Sequence, residues 1–137
     1  MKLSWMTVPI TLGKVWSLPN TLLGLLMAVF LGASRPRYRD GAIEIRVRRI
    51  PFRTWFPTTV GQTWGTVIYT DARLESYDRL WRHELRHVKQ SLVLGPLFAL
   101  AYPVASLVAW LTGGHFYRDN WFERDATAAE SGTPSQG

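Results

Sequence analysis

Two histidines and a glutamate in the segment HELRH have the types and the spacing that can bind and use a metal ion. His83 and His87 are four residues apart, so on a helix they share one face and can supply two ligands to a tetrahedral metal. Glu84 directly follows His83 and would lie beside the metal, where its carboxylate can take a proton from an activated water molecule. This pattern predicts a hydrolytic metal site, provided that the chain supplies a third ligand.

The third ligand must be a histidine or a carboxylate, because the chain has no cysteine and a catalytic zinc ion commonly has three protein ligands and one open position. The downstream candidates are His115, Asp119, Glu123 and Asp125. We prefer Glu123, because it lies in a predicted helix next to two aromatic side chains that can fix its orientation. His115 follows two glycines in a predicted loop and is the alternative.

The helix that carries HELRH is predicted to run from about Ala72 to Leu94. Asp71 is a suitable N-cap at its start, and Gly95-Pro96 is a suitable stop at its end. The two histidines fall on its apolar face, where an imidazole without a partner is costly to bury. We therefore expect both of them to face the protein interior as metal ligands.

The segments before this helix show the alternation of β-strands. RPRYRDGAIEIRVRR alternates between apolar and polar side chains on both sides of Asp40-Gly41, which is a strong signal for an antiparallel hairpin. TWGTVIYT is predicted to be a single strand from about Thr63 to Thr70. The expected sheet is therefore short and antiparallel.

The chain is basic, with a formal net charge of +6 and a pI near 10.2, and seven of its arginines lie between Arg35 and Arg53. Such a patch can face nucleic acid or anionic lipid, or it can be the solvated side of the predicted hairpin. The seven tryptophans favour an apolar surface or a membrane interface. No aromatic stacking platform or known motif accompanies the arginines, so we expect membrane lipid rather than nucleic acid as a partner.

Two long apolar stretches raise the question of a membrane. A helix is predicted from about Pro19 to Leu31, and it can be a cleaved signal peptide, a retained membrane-inserted or interfacial helix, or a buried core helix. The segment from Leu92 to Thr112 has no charge over 21 residues, but Pro96 and Pro103 interrupt it. This segment is either a transmembrane span or a bent pair of short helices.

The length of the chain limits how these segments can be combined. With 137 residues, of which 47% are hydrophobic, it suits one domain with a core of its own. We expect this domain to extend over residues 1–130, followed by a disordered tail at 131–137. A straight span from Leu92 to Thr112 would put about 30 Å between its ends and leave Glu123 on the opposite side from His83, so a shared metal site predicts a bent or re-entrant segment.

The motifs together resemble a family of short, largely uncharacterised bacterial zincin-like proteins of the gluzincin type. The resemblance rests on HELRHVKQ, GPLF, Tyr102, the GG pair and YRDNWFERDA, with PNTLLGLL and RDGAIE, and covers roughly residues 18–126. It implies a small α+β zincin fold with a short antiparallel sheet, a long HExxH helix and apolar helices. It also implies zinc as cofactor, with His83, His87 and Glu123 as ligands and Glu84 as general base.

The chain departs from this family type at one position. Gluzincins often have an aspartate four residues after the ligand glutamate that orients a histidine, and Thr127 stands there in this sequence. Another group must orient the histidine, and the candidates are Asn120, Asp119 and Asp125. Zincins are also similar in having an edge strand, just before the metal helix, that pairs with an extended peptide substrate; TWGTVIYT stands at that place.

The expected function is a zinc-dependent metallopeptidase that hydrolyses a peptide or protein. We expect it at a membrane, with the bacterial inner membrane as the favoured place, while the absence of cysteine leaves a cytoplasmic or secreted location open. Tyr69, Tyr102 and Tyr117 are candidates to stabilise the oxyanion, and the sequence does not choose among them. The alternative is a non-catalytic, membrane-associated subunit or scaffold in which a metal, or the histidine pair alone, is structural. The large apolar share of the chain favours this alternative, because it leaves little for a substrate cleft.

Overall fold

A computed structural model describes residues 9–50 and 60–131 of the chain. The predicted tail lies outside the described residues from residue 132 onward. In chain order the elements are α1 (Ile10–Trp16), α2 (Leu18–Phe30), β1 (Arg37–Arg39), β2 (Ala42–Val47), β3 (Gly61–Trp64), β4 (Val67–Asp71), α3 (Asp78–Leu94), a single 3-10 turn (Gly95–Leu97), α4 (Phe98–Leu111) and α5 (Trp121–Glu130). This combination of helices with a small sheet confirms the predicted α+β class.

The four strands form one mixed sheet in the order β1-β2-β4-β3. The hairpin predicted at Asp40-Gly41 is present, because β1 and β2 pair antiparallel. Strands β3 and β4 also pair antiparallel. The two central strands, β2 and β4, pair parallel, with Ile45 opposite Tyr69. The expectation of an all-antiparallel sheet is therefore wrong at its centre, because the chain crosses to the far edge after β2 and returns beside it.

The segment TWGTVIYT does not form one strand, as predicted, but the two strands of a tight hairpin. Strand β3 ends at Trp64, which pairs with Val67, and Gly65 and Thr66 form the turn between them. Gly65 has a φ of +60°, a backbone conformation that glycine adopts without steric cost. The alternation of apolar residues continues through this turn, so the pattern concealed it.

The helix that carries HELRH begins at Asp78, six residues later than predicted, and ends at Leu94 as predicted. Asp71 is the last residue of β4 rather than an N-cap. Its carboxylate accepts hydrogen bonds from the backbone N–H and the guanidinium of Arg73, so it closes a turn after the strand. The helix then packs over the sheet with Trp81 and Val88 buried.

The core has two parts, one on each face of the sheet. On one face, Ala28 of α2 packs with Ile45 and Tyr69. On the other face, Trp81 of α3 packs with Ile68. Strand β4 is buried along its whole length, as expected for a strand that has helices on both faces. The layered order α2, sheet, α3 places HELRH on a rigid support.

The apolar segment from Leu92 to Thr112 does not continue α3 in a straight line. By length and composition the stretch Asp78–Leu111 could cross a membrane, and so could α1 and α2 together, although those two helices are bent by 62°. Gly95 has a φ of +55°, and the ring of Tyr102 on α4 lies 6.3 Å from the ring of His87 on α3. A straight helix would separate these two residues by about 22 Å, so the chain turns back at Gly95, as the shared site requires.

Candidate metal centre

The helices α3 and α5 bring His83, His87 and Glu123 together in the interior. All three side chains are buried, and one ligand atom of each lies within 4.8 Å of the others. Glu123 lies in the first turn of α5, and the Asn120 side chain caps this helix by accepting a hydrogen bond from the N–H of Phe122 at 2.9 Å. The structure thus groups the two histidines with the carboxylate that the sequence favoured as third ligand.

The distances within this cluster fit a tetrahedral metal. The two Nε2 atoms are 3.2 Å apart, His83 Nε2 is 3.0 Å from Glu123 Oε2, and His87 Nε2 is 3.2 Å from Glu123 Oε1. Zinc with bonds of about 2.1 Å to such ligands has tetrahedral edges of about 3.4 Å. The three side chains therefore form one face of a zinc-sized tetrahedron, with only small movements needed.

A hydrogen-bonded glutamine sets the orientation of His87. Its Nδ1 lies 2.8 Å from Gln90 Oε1. The Gln90 amide is oriented by its Nε2, which donates to Phe122 O and to Asp125 Oδ2, both of which can only accept. His87 must then donate from Nδ1, which leaves the lone pair of Nε2 directed at the cluster. Arg86 donates two hydrogen bonds to Asp125 and completes this chain of contacts.

A carboxylate sets the orientation of His83. Its Nδ1 lies 2.8 Å from Glu130 Oε1, and the other Glu130 oxygen accepts from Arg79 Nε at 2.7 Å. Because the carboxylate accepts the Nδ1 proton, the neutral form of His83 also presents the lone pair of its Nε2 to the cluster. A histidine ligand held by a carboxylate in this way is a common arrangement in zinc sites, and it makes the ligand more basic.

The Nε2 atoms of His83 and His87 and a carboxylate oxygen of Glu123 therefore meet in a buried space. The lone pairs of these three atoms repel each other unless the positive charge of a proton or a cation lies between them. Burial disfavours the charged form of His83, but hydrogen bonding to Glu123 and nearby carboxylate charges outweigh it and raise the pKa of His83 to about 9. The pKa of His87 is raised for the same reasons. Burial opposes ionisation of Glu123, yet hydrogen bonds from both histidines hold its pKa well below its usual range. A divalent cation can supply this charge in place of protons.

Glu84 lies next to the cluster but is not part of it. Its Oε2 accepts a hydrogen bond from Thr63 Oγ1 at 2.6 Å, and burial raises its pKa. Gly61 provides the space for the carboxylate, because a Cβ at that position would lie 2.7 Å from Glu84 Oε1. The carboxylate is thus held against β3 beside the histidines, where the HExxH pattern places a general base.

The three tyrosines that the sequence left open have different places. Tyr69 is buried in the core, and its hydroxyl donates to the carbonyl of Gly24, so it is remote from the cluster. Tyr102 donates to Glu123 Oε1 at 2.5 Å, and burial and the Glu123 charge raise its pKa. Tyr117 lines the adjoining cavity, as does Tyr102. Two of the three candidates therefore remain near the site.

The other candidates for a third ligand lie elsewhere. His115 is in the exposed turn after α4, where its ring accepts from the backbone N–H groups of Tyr117 and Arg118. Asp119 accepts from the N–H of His115. Asp125 accepts a hydrogen bond from Gln90, which in turn contacts His87. The prediction that Asp125 supports a ligand from behind is thus consistent with the geometry, and the alternative of His115 as a ligand is not.

Sequence reasoning missed Gln90 and Glu130. Gln90 is three residues after His87, and Glu130 is seven residues after Glu123, so each shares a helix face with a ligand. This spacing could have identified Gln90 from α3 alone. Glu130 could not be assigned to His83 without knowing that α5 packs beside α3. Glu130 contacts Nδ1 of His83, a position for which the sequence leaves Asn120, Asp119 and Asp125 as candidates.

A cavity of about 500 Å³ adjoins the cluster. Its lining combines the ligands and Glu84 with strand β3 on one side and helix α4 on the other, together with Asn20 of α2. The α4 residues in the lining lie on one face of that helix and are Phe98, Ala99, Tyr102, Pro103 and Ser106. The cavity is therefore mostly apolar, with its polar groups concentrated at the cluster.

Strand β3 is at the edge of the sheet among the described residues. In a hairpin with a two-residue turn, Trp64 and Val67 form a hydrogen-bonded pair, and such pairs alternate along the strands. Gln62, opposite Tyr69, is therefore also bonded to β4. The backbone groups of Gly61 and Thr63 then point away from β4, at the edge beside Glu84.

Comparison of the chain with protein-family models, with curated proteins and with solved structures finds no match. The resemblance to gluzincin-type proteins therefore stays a prediction from the motifs. The case for a metal centre rests on the geometry of this chain: the tetrahedral distances, the fixed ring orientations and the buried, electron-rich cluster.

Proposed function

We propose that the protein is a zinc-dependent hydrolase of peptide bonds. The observation that carries this proposal is the convergence of His83 Nε2, His87 Nε2 and a Glu123 carboxylate oxygen, with the carboxylate of Glu84 beside them and a cavity in front. Two nitrogen ligands and one oxygen ligand suit zinc and leave one coordination position for water or substrate. A buried structural histidine pair would not need a second, separately held carboxylate.

The residues around the site have distinct tasks in such a reaction. Bound zinc would lower the pKa of water and polarise a carbonyl group. Glu84 is placed to accept the proton of the attacking water and to deliver it to the leaving amine, and Thr63 keeps its carboxylate in position. Tyr102 is our choice to donate a hydrogen bond to the developing oxyanion, because it lines the cavity and its hydroxyl contacts the ligand Glu123.

The substrate that fits this site best is an extended stretch of polypeptide. Gly61 and Thr63 offer backbone groups at the sheet edge beside Glu84, and pairing with an edge strand holds a peptide without strict sequence preference. The apolar wall that α4 contributes favours a substrate with apolar side chains next to the scissile bond. The exposed apolar residues of α2 and α4 support association of the protein with a membrane.

Hydrolysis of a quenched-fluorescent peptide library by the zinc-loaded protein tests this proposal. We expect cleavage by the wild type, and Glu84→Gln should keep its zinc and lose cleavage by at least about a hundredfold. Lys89→Gln, on the exposed side of the same helix, is the matched control and should cleave normally. Cleavage by Glu84→Gln at the wild-type rate would remove Glu84 from its role.

A structural metal in a non-catalytic subunit is the second candidate. The observation in its favour is that the ligands are nearly inaccessible, with 8%, 6% and 5% of His83, His87 and Glu123 exposed, and that they join α3 to α5. Structural zinc sites contribute directly to folding. Unfolding on removal of zinc, with no cleavage of any library peptide by the wild type, would favour this candidate over the hydrolase.

A further inference from the structure

Helix α4 has two faces with different surroundings. One face lines the cavity, and its Tyr102 donates to Glu123. The other face is exposed and wholly apolar; its side chains are Leu100, Val104, Leu107, Val108 and Leu111, all more than half exposed. A soluble monomer rarely exposes a continuous apolar helix face to water, and such faces commonly mark a site of contact with another protein or with a membrane.

Other apolar elements meet α4 where it starts. The Asn20 side chain of α2 donates to Gly95 O at 3.0 Å, and the Trp16 indole at the end of α1 lies against Gly95. Exposed apolar residues continue from this junction onto both helices, among them Leu18, Leu22 and Leu26. We call the exposed apolar residues of α1, α2 and α4 the apolar surface.

The charges in the sequence indicate what covers the apolar surface. Residues 15–34 and 90–117 contain no Asp, Glu, Lys or Arg, and each stretch has a basic residue directly at both ends: Lys14, Arg35, Lys89 and Arg118. Tryptophan is present at the same surface, with Trp16 and Trp110 exposed. Apolar helices that are bordered by basic and aromatic side chains suit a bilayer whose headgroups are anionic.

We propose that the apolar surface seats the protein on an anionic bilayer and that the site cleaves polypeptides held at that bilayer. The cleavage of membrane-held polypeptides rests on the proposed function, whereas the seating on the bilayer does not. Because α4 presents one face to the lipid and the other to the cavity, the cavity would lie about 10 Å, one helix diameter, from the membrane. The substrate class that follows is a membrane-bound polypeptide, cut in an extended segment close to where it leaves the bilayer.

Flotation with lipid vesicles tests the seating without any need for activity. The variant Val104→Glu with Leu107→Glu places two charges on the exposed face of α4. Thr127→Glu with Ala128→Glu places the same two charges on the exposed face of α5 and is the matched control. Zinc content and circular dichroism of each variant, measured beforehand, establish that the fold and the cluster are intact.

We expect the wild type and the control to float with vesicles of equal parts phosphatidylcholine and phosphatidylglycerol. The α4 variant should bind at least about a hundredfold more weakly, and vesicles of phosphatidylcholine alone should bind the wild type at least about tenfold more weakly. Flotation of the α4 variant like the wild type would overturn the proposal. The proposal would also be overturned if the wild type stays in solution as a dimer and the α4 variant is a monomer. A second copy of the chain would then cover the apolar surface.

A peptide library attached to the same vesicles by a lipid anchor tests the substrate class. The wild type should cleave anchored peptides faster than the same peptides free in solution, and the α4 variant should lose this preference while it cleaves free peptides normally. Equal rates on both forms with the wild type would overturn the substrate class. A wild type that floats but cleaves neither form would instead contradict the proposed hydrolase and leave the seating supported.

Discussion

At the scale of single residues, the two histidines differ in what holds them. His83 donates to a carboxylate and His87 to an amide, so the glutamate has the larger influence on ligand basicity. The HELRH spacing predicts the pairing of the histidines, and the helical, aromatic setting of Glu123 favours this residue as the third ligand. Gln90 and Glu130 act from behind these ligands, and their role depends on how α3 and α5 pack.

Replacement of Glu130 by alanine should weaken zinc binding by about 10-fold to 100-fold, because His83 loses the group that fixes its ring and raises its basicity. Competition with a chromophoric chelator measures the change. Arg79→Ala removes a second partner of the Glu130 carboxylate but leaves its bond to His83, so this control should bind zinc as the wild type does. Equal affinities of Glu130→Ala and the wild type would show that His83 is held in another way.

Replacement of Gly61 by alanine should reduce hydrolysis and leave zinc content unchanged. The new Cβ would lie 2.7 Å from Glu84 Oε1, so the carboxylate must move away from the position of a general base. Gly114→Ala is the control, since its Cβ would lie 2.9 Å from a carboxylate oxygen of Asp119, which is not a lining residue of the cavity. A Gly61→Ala variant with a normal turnover number would contradict the placement of Glu84.

Zinc affinity should rise with pH. The pKa of His83 is about 9 in the metal-free protein, so near neutral pH this side chain carries a proton that zinc must displace. The lowered pKa of Glu123 keeps its carboxylate ionised, so the histidines govern the dependence. We expect at least about a tenfold gain in affinity per pH unit between about pH 6 and pH 8, measured by chelator competition, and a pH-independent affinity would contradict the hydrogen-bonded cluster.

At the scale of elements, helices α2, α3 and α5 are predictable from the sequence, whereas α1, which lies in a segment without a clear period, and several boundaries are not. The 3.6-residue period and the Gly95 stop identified α3, but its start depends on a turn that Asp71 closes with Arg73. The apolar pattern runs through Gly65 without a break, so it predicts one strand where β3 and β4 form a hairpin. Parallel pairing of β2 with β4 is a long-range contact that no local pattern reports.

Gly95 is the element-scale feature on which the site depends most. It combines a φ of +55° with close contact to Trp16, whose indole Nε1 would lie 2.4 Å from a new Cβ. Gly95→Ala should therefore lower the free energy of unfolding by about 1–3 kcal/mol for the backbone alone, with a further loss from displacement of Trp16. Because α4 must then shift, the variant should also bind zinc more weakly.

Gly113→Ala provides the control for the backbone part of this effect. Gly113 has a φ of +85°, but a Cβ there would meet nothing within 4 Å. Denaturant unfolding of the zinc-free proteins in detergent gives both free energies. If Gly95→Ala lowers the free energy of unfolding by no more than Gly113→Ala does, the contact between Gly95 and Trp16 does not stabilise the turn that leads into α4.

At the scale of the whole molecule, the site closes because α3, α4 and α5 converge over the sheet. The sequence alone predicts only that the segment from Leu92 to Thr112 must bend if His83 and Glu123 share a metal. A straight span would keep Glu123 away from His83. The chain does turn back at Gly95, as this prediction requires. The turn also leaves α4 with one face toward the cavity and one face toward the surroundings. Such a layout requires contacts between distant parts of the chain, so composition and periodicity could suggest it but not establish it.

The zinc content of the purified protein tests the metal centre most directly. After dialysis against trace zinc, elemental analysis should find one zinc ion per chain in the wild type and in His115→Ala, whose histidine lies outside the cluster. His83→Ala and Glu123→Ala should each lose most of it. A wild type with less than about a third of an equivalent of zinc, or a content that His83→Ala does not change, would contradict a zinc site formed by His83, His87 and Glu123.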